Sequence, residues 1–155
     1  MAFESEKEFE AQVRELIGEY ILPCDKNLVL FDNKKAVDIL LCRNGKKSGL
    51  YFLEIKYHKR SHGRLSTGHG KGGGFQPEIL LRLPTYFESN MRWVLGLEDQ
   101  EGYLLMKNSQ LIKYVAGGVV GKKYNNIQMK LFKNEKPLSE KEFVLALKGW
   151  LCETE

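Results

Sequence analysis

Two apolar stretches of this chain are interrupted by charge, and the interrupting residues are of types that do chemistry together. The first is Ala36-Val37-Asp38-Ile39-Leu40-Leu41-Cys42, where Asp38 is the single charge. The second is Leu50-Tyr51-Phe52-Leu53-Glu54-Ile55-Lys56-Tyr57, which carries Glu54 and Lys56. Aspartate is depleted in strands, so Asp38 needs an exposed face, a partner or a metal. Side chains alternate across a strand, which puts Glu54 and Lys56 on one face with Leu50 and Phe52 and leaves Tyr51, Leu53, Ile55 and Tyr57 on the other. His58 joins the charged face if the strand runs on. Ions on so apolar a strand cost several kcal/mol each unless paired. A solvated edge strand, in which Glu54 and Lys56 are no more than i, i+2 neighbours, is the other reading. If the carboxylates of Asp38 and Glu54 converge, they offer a site to a hard, oxygen-seeking cation such as Mg²⁺. Lys56 beside them can then orient or help deprotonate a water and hold an anionic group.

The elements that must position these residues follow from periodicity. Ser5-Glu6-Lys7-Glu8 has capping-box spacing, and Phe9, Val13, Leu16, Ile17 and Tyr20 recur at helical intervals, predicting a first amphipathic helix that ends near Tyr20. Glu6 and Glu10 lie one turn apart beside its apolar stripe, so one of them can point toward a sheet instead of water. After Pro23, Leu28 to Phe31 reads as a short strand. Ala36 to Cys42 and Leu50 to Tyr57, joined by a polar turn over Asn44 to Ser48, form an antiparallel hairpin in which Asp38 and Glu54 can be cross-strand neighbours. Further on, the pattern predicts a helix from Gln76-Pro77 to Leu83, stopped by Pro84, and strands over Arg92 to Leu97 and Tyr103 to Met106. It also predicts a short helix over Ser109 to Val115, an edge strand over Asn125 to Phe132, and a last helix capped at Ser139 with Phe143, Leu147, Trp150 and Leu151 on its apolar face.

Composition narrows the class. The chain has 155 residues, 43% of them hydrophobic, which suits one domain spanning residues 1–155 with a sizeable core. No run approaches the roughly 18 to 20 apolar residues of a membrane span, and Met1 to Glu10 is polar and acidic, unlike a signal peptide. The expectation is a cytoplasmic protein that does not engage a membrane. Cys24, Cys42 and Cys152 are odd in number and widely spaced, which reads as reduced thiols and argues against a zinc site. The net charge of +4 is a mild bias, but its placement is informative. From Lys56 to Lys71 the chain holds Lys56, Lys59, Arg60, Arg64, Lys71 and the histidines at 58, 62 and 69, and no acid. Glycines at 63, 68, 70, 72, 73 and 74 let backbone approach a ligand closely. Such a loop suits phosphate contacts. A solvated basic loop is the alternative, and no P-loop pattern is present.

Taken together, the order helix, three strands, helix, strand and the placement of Asp38, then Glu54-Ile55-Lys56, across a hairpin resemble the common core of the PD-(D/E)xK nuclease superfamily. That is the fold of many type II restriction endonucleases and of archaeal Holliday junction resolvases. The resemblance covers roughly Glu4 to Leu97, and Val37 stands where the motif's name puts proline. It implies an α/β fold with a restriction-endonuclease-like core, a central mixed β-sheet flanked by helices in the order αβββαβ. It further implies Mg²⁺, with Mn²⁺ as a substitute, held by Asp38, Glu54 and the backbone carbonyl of Ile55. Lys56 would act at the attacking water and Glu10 would complete the catalytic set from the helix, with Glu6 as the fallback.

The function expected on this resemblance is Mg²⁺-dependent hydrolysis of phosphodiester bonds in double-stranded DNA. His58, Lys59, Arg60, Arg64, Lys71 and Gln76 are the candidate DNA contacts, Arg64 being the candidate base reader because its guanidinium supplies a fork. Lys122, Lys123 and Gln128 are the reserve candidates. Sequence-specific cleavage as a homodimer or higher homo-oligomer is the first reading, since cutting both strands usually takes two sites related by symmetry. A structure-specific nuclease such as a junction resolvase is the second, and a DNA-binding module without catalysis the third. The residues beyond Leu97 favour the first, and an intact Asp38, Glu54 and Lys56 argues against the third.

Overall fold

The computed structural model describes residues 2–26, 28–31, 38–44, 49–59, 85–114 and 127–152. Its centre is a five-stranded mixed sheet in the order β1-β2-β3-β4-β5, with β1 at Leu28–Phe31, β2 at Ile39–Arg43, β3 at Gly49–His58, β4 at Met91–Leu97 and β5 at Gln100–Met106. The hairpins β1/β2, β2/β3 and β4/β5 are antiparallel, while β3 and β4 run parallel. The parallel pair joins the two hairpin units and leaves β3 at the centre of the sheet. Among the described residues the order is helix α1 (Glu6–Leu16), β1, β2, β3, helix α2 (Thr85–Asn90), β4, an α/β arrangement. The helix expected over Gln76 to Leu83 lies outside the described residues. The described helix before β4 is α2, Thr85–Asn90, directly after Pro84, because proline precedes a helix as readily as it ends one.

Helix α1, Glu6–Leu16, starts at Ser5, whose side chain accepts from the Glu8 N–H at 3.2 Å. The capping box is shifted: the Glu8 carboxylate takes the N–H of Glu4 at 2.7 Å. The helix runs on as a π-helical turn, Ile17–Ile21, and a 3-10 turn, Leu22–Cys24. A wider turn rotates the following residues, so Ile21 and not Tyr20 is buried, and Tyr20 is 39% exposed. Phe9, Val13, Leu16, Ile17 and Ile21 pack with Ile39, Leu41, Leu53, Ile55 and Tyr57 on one face of the sheet. Burying each of these side chains contributes about 1.5 to 3 kcal/mol. The same core takes Phe143, Val144, Leu147 and Leu151 of the last helix, α5, Glu140–Leu151. This helix is capped by a complete Ser139/Glu142 box.

The opposite face buries Met91, Trp93 and Leu95 of β4 and Leu104 and Met106 of β5. Covering them are α3, Asn108–Leu111, the 3-10 turn Ile112–Tyr114 and α4, Leu131–Asn134. The edge strand expected over Asn125 to Phe132 is corrected here. Met129 and Lys130 form a turn, and Leu131–Asn134 a short helix. Its alternation reflects a turn that inserts Ile127, Leu131 and Phe132 into this second core. Among the described residues no helix is long and apolar enough to cross a membrane.

The spacing of α1 over the sheet depends on Gly96 of β4. A Cβ there would meet Phe9 Cζ at 2.7 Å and Tyr57 Cδ1 at 2.9 Å. Gly96→Ala should therefore overpack the α1/sheet contact and lower stability by about 1 to 3 kcal/mol. Urea unfolding of the variant checks this; an unchanged midpoint would show that the helix rises freely over the strand.

Candidate functional site

The hairpin register decides where Asp38 sits. Ile39 pairs with Leu53, so Asp38, one residue earlier, faces the level of Glu54. Asp38 stands just before β2, at a bend instead of inside the strand as the sequence pattern suggested. The described pairing of β3 with β2 stops at this level, whereas pairing with β4 continues to His58. Backbone groups of alternate residues leave a strand on the same side. Beyond Leu53, therefore, the N–H groups of Ile55 and Tyr57 face the side on which the described pairing with β2 has ended.

Two carboxylates take them. Asp38 Oδ2 accepts from the Ile55 N–H at 2.8 Å, and Glu6 Oε2 accepts from the Tyr57 N–H at 3.3 Å. The carbonyl of Ile55 leaves the strand on the same side as its N–H. Glu54 is 2% exposed, on the face of Phe52 and in register with Trp93. Lys56, half-buried, follows on the same face. The structure thus brings Asp38, Glu54, the Ile55 backbone and Lys56 to one end of the β2/β3 fork, with Glu6 reaching over it from α1.

The two helix glutamates have different surroundings. Glu10, 6% exposed, is in an ion pair with Arg14, whose Nε lies 3.0 Å from its Oε2. Arg14 also donates from Nη2 to the Asp38 carbonyl at 2.5 Å, which ties α1 to the residue that begins β2. Glu6 is exposed over part of its length, but its carboxylate end lies on the sheet. Burial of that end pushes its pKa above the ordinary value. Lys56 and the Tyr57 hydrogen bond pull it back, while Asp38 and Glu10 push it further up. Glu6 therefore feels the charge of each neighbour at the fork. Sequence reasoning ranked Glu6 second and did not single out Arg14. The signal for both was spacing, since residues 6, 10 and 14 recur every four positions on one helix face.

His58, expected among the DNA contacts, is 5% exposed at the end of β3, and burial withdraws its ring from a ligand in this conformation. Lys59 donates from Nζ to the Glu4 carbonyl at 2.8 Å, fastening the start of the following loop to the chain's N-terminal segment. Arg60, Arg64, Lys71 and Gln76 lie outside the described residues, as do Lys122 and Lys123. Among the described residues no three His, Cys, Asp or Glu side chains close on one point as a metal cage. Magnesium sites need no such cage, because the ion keeps several waters and takes one or two carboxylates. Asp38 and Glu54 are the two carboxylates at the level where the described β2/β3 pairing ends. No protein-family model, curated protein or solved structure matches this chain.

Raised proton affinity at Glu6 has a definite sign. The folded state holds the proton more tightly than the unfolded chain. Its favourable contribution is thus full below the unfolded pKa and is lost as pH rises through the folded one. Glu6→Gln should be more stable than the wild type at neutral pH, with the gap closing by about pH 4. Urea midpoints at the two pH values test this; a gap that does not vary with pH would mean Glu6 is not held against the sheet.

Proposed function

We propose that the chain is a metal-dependent nuclease of the PD-(D/E)xK type with a restriction-endonuclease-like core, hydrolysing phosphodiester bonds of double-stranded DNA, with sequence-specific cleavage by a homodimer as its fullest form. The observation that carries the reading is the β2/β3 register. It sets Asp38 level with Glu54, two residues before Lys56, where the described pairing of β3 with β2 ends.

Asp38, Glu54 and the Ile55 carbonyl are the groups that would hold Mg²⁺ or Mn²⁺. Such an ion supplies Lewis acidity at the phosphate and makes water a nucleophile near neutral pH. In the reading proposed, Lys56 orients the attacking water and offsets charge on the phosphate oxygens as the water oxygen bonds to phosphorus and the bond to the leaving oxygen breaks. Glu6 is the helix carboxylate of the site, because Lys56 and Asp38 are its electrostatic neighbours, while Glu10 is engaged with Arg14. Glu10 then acts through Arg14, which holds the Asp38 backbone. The loop from Lys59 through Lys71 supplies phosphate contacts, consistent with its cations and lack of acid.

Cleavage of DNA of known sequence, with Mg²⁺ and with chelator, tests the proposal. The wild type should cut only with the metal. Asp38→Ala, Glu54→Ala and Lys56→Ala should each slow cutting by roughly 10²- to 10⁴-fold with the circular dichroism spectrum unchanged. Discrete fragments would establish sequence specificity, whereas nicking confined to branched DNA would establish a structure-specific nuclease. Near wild-type turnover in any two of the three variants would leave Asp38 and Glu6 as caps of a strand edge with no catalytic part.

A further inference from the structure

We infer that Cys24 and Cys152 form a reversible intramolecular disulfide, a redox modification site that joins the end of the first helical segment to the end of α5. Cys24 closes the 3-10 turn after the π-helical turn and is exposed. Its Sγ lies 3.1 Å from the carbonyl oxygen of Tyr20. Cys152 caps α5, half-buried, with its Sγ 3.8 Å from the carbonyl oxygen of Ile21. The two thiols thus reach carbonyls of consecutive residues from opposite ends of the chain. Burial in the first place, then the adjacent Cys24 and Asp25, push the Cys152 thiol up to about 11, against the opposing effect of Arg43. Ile17, Ile21, Leu147 and Leu151 pack in one core beneath them, so the backbone that carries both sulfurs is held in place. Cys42 lies on β2 and has no part in this pair.

The oxidant is a small disulfide such as oxidised glutathione, and the reaction is thiol–disulfide exchange. The exposed Cys24 thiolate attacks one sulfur of the small disulfide. This forms a mixed disulfide and releases one small thiolate, which takes a proton from water. Cys152, after losing its proton to solvent, attacks Cys24 Sγ, forms the Cys24–Cys152 bond and expels the second small thiolate. Two electrons pass from the cysteine pair to the small disulfide, which leaves as two thiols. The bond closes a loop that holds most of the chain, so it restricts the unfolded state strongly.

The full-length protein treated with oxidised glutathione, then quenched in acid and alkylated, provides the test. The account expects a mass loss of two hydrogens and a single alkylated thiol at Cys42. It also expects a protease fragment joining Cys24 to Cys152, a melting temperature raised by roughly 10 °C and full reversal by dithiothreitol. Cys24→Ser, at an exposed position that tolerates the change, should abolish every one of these signatures, and Cys42→Ser should keep the cross-link. A glutathione adduct that persists on Cys24 while Cys152 stays alkylatable would overturn the inference. So would a cross-link through Cys42 or between two chains.

Discussion

The fork between β2 and β3 is the constraint on which the rest of the site depends. A buried backbone N–H without an acceptor costs about 1 to 3 kcal/mol. Beyond the described β2/β3 pairing, which ends at Ile39 and Leu53, the N–H groups of Ile55 and Tyr57 take side-chain acceptors, and Asp38 and Glu6 supply them. Folding alone therefore recruits two carboxylates to one strand edge. Each accepts with one oxygen, and a carboxylate has capacity for more than one such contact. The proposed chemistry thus uses groups whose positions the backbone already demands. Glu54 differs: it is buried on β3 in register with Trp93, where a carboxylate is tolerated only with partners of its own.

Around this fork the fold is arranged to hold α1 at a set height and angle. Gly96 lets Phe9 and Tyr57 approach β4, and the rings of Phe3, Phe9 and Tyr57 pack together with centroids 5.1 to 5.6 Å apart. The Tyr57 hydroxyl accepts from the Phe3 N–H at 3.0 Å. Arg14 links the same helix to Asp38. A second anchored pair lies at the far side of the hairpin. Arg43, 4% exposed, is bonded to Asp25 at 3.1 Å, donates to the Tyr51 hydroxyl and lies over the Tyr51 ring. The hairpin that carries Asp38 is thereby fixed at both ends, as a site that needs geometry held to a fraction of an ångström requires.

Much of this was legible in the sequence because the signals were local and periodic. Alternation in Leu50 to Tyr57 placed Glu54 and Lys56 on one face, and the polar turn after Cys42 implied the antiparallel hairpin that sets Asp38 level with Glu54. Ser5 and Ser139 announced both long helices. What escaped depends on contacts distant in sequence. The choice between Glu6 and Glu10 turns on Tyr57, fifty-one residues from Glu6, and on the reach of Arg14 to the Asp38 carbonyl twenty-four residues away. Tyr20 fits a helical stripe of ordinary pitch, and only the π turn brings Ile21 inward instead. Residues 125–132 alternate like a strand, yet Ile127, Leu131 and Phe132 are placed by a turn against the second core. His58 was expected among the DNA contacts, yet it stands at the buried end of β3.

The central claim is that the fork holds a divalent ion, and paramagnetic broadening measures it without any reaction. Substoichiometric Mn²⁺ added to ¹⁵N-labelled protein should first erase the amide signals of Asp38, Glu54, Ile55 and Lys56, with excess Mg²⁺ restoring them and Glu54→Ala preventing the loss. Signals at the fork that persist while those of surface acids such as Glu101 or Glu140 disappear would contradict the account.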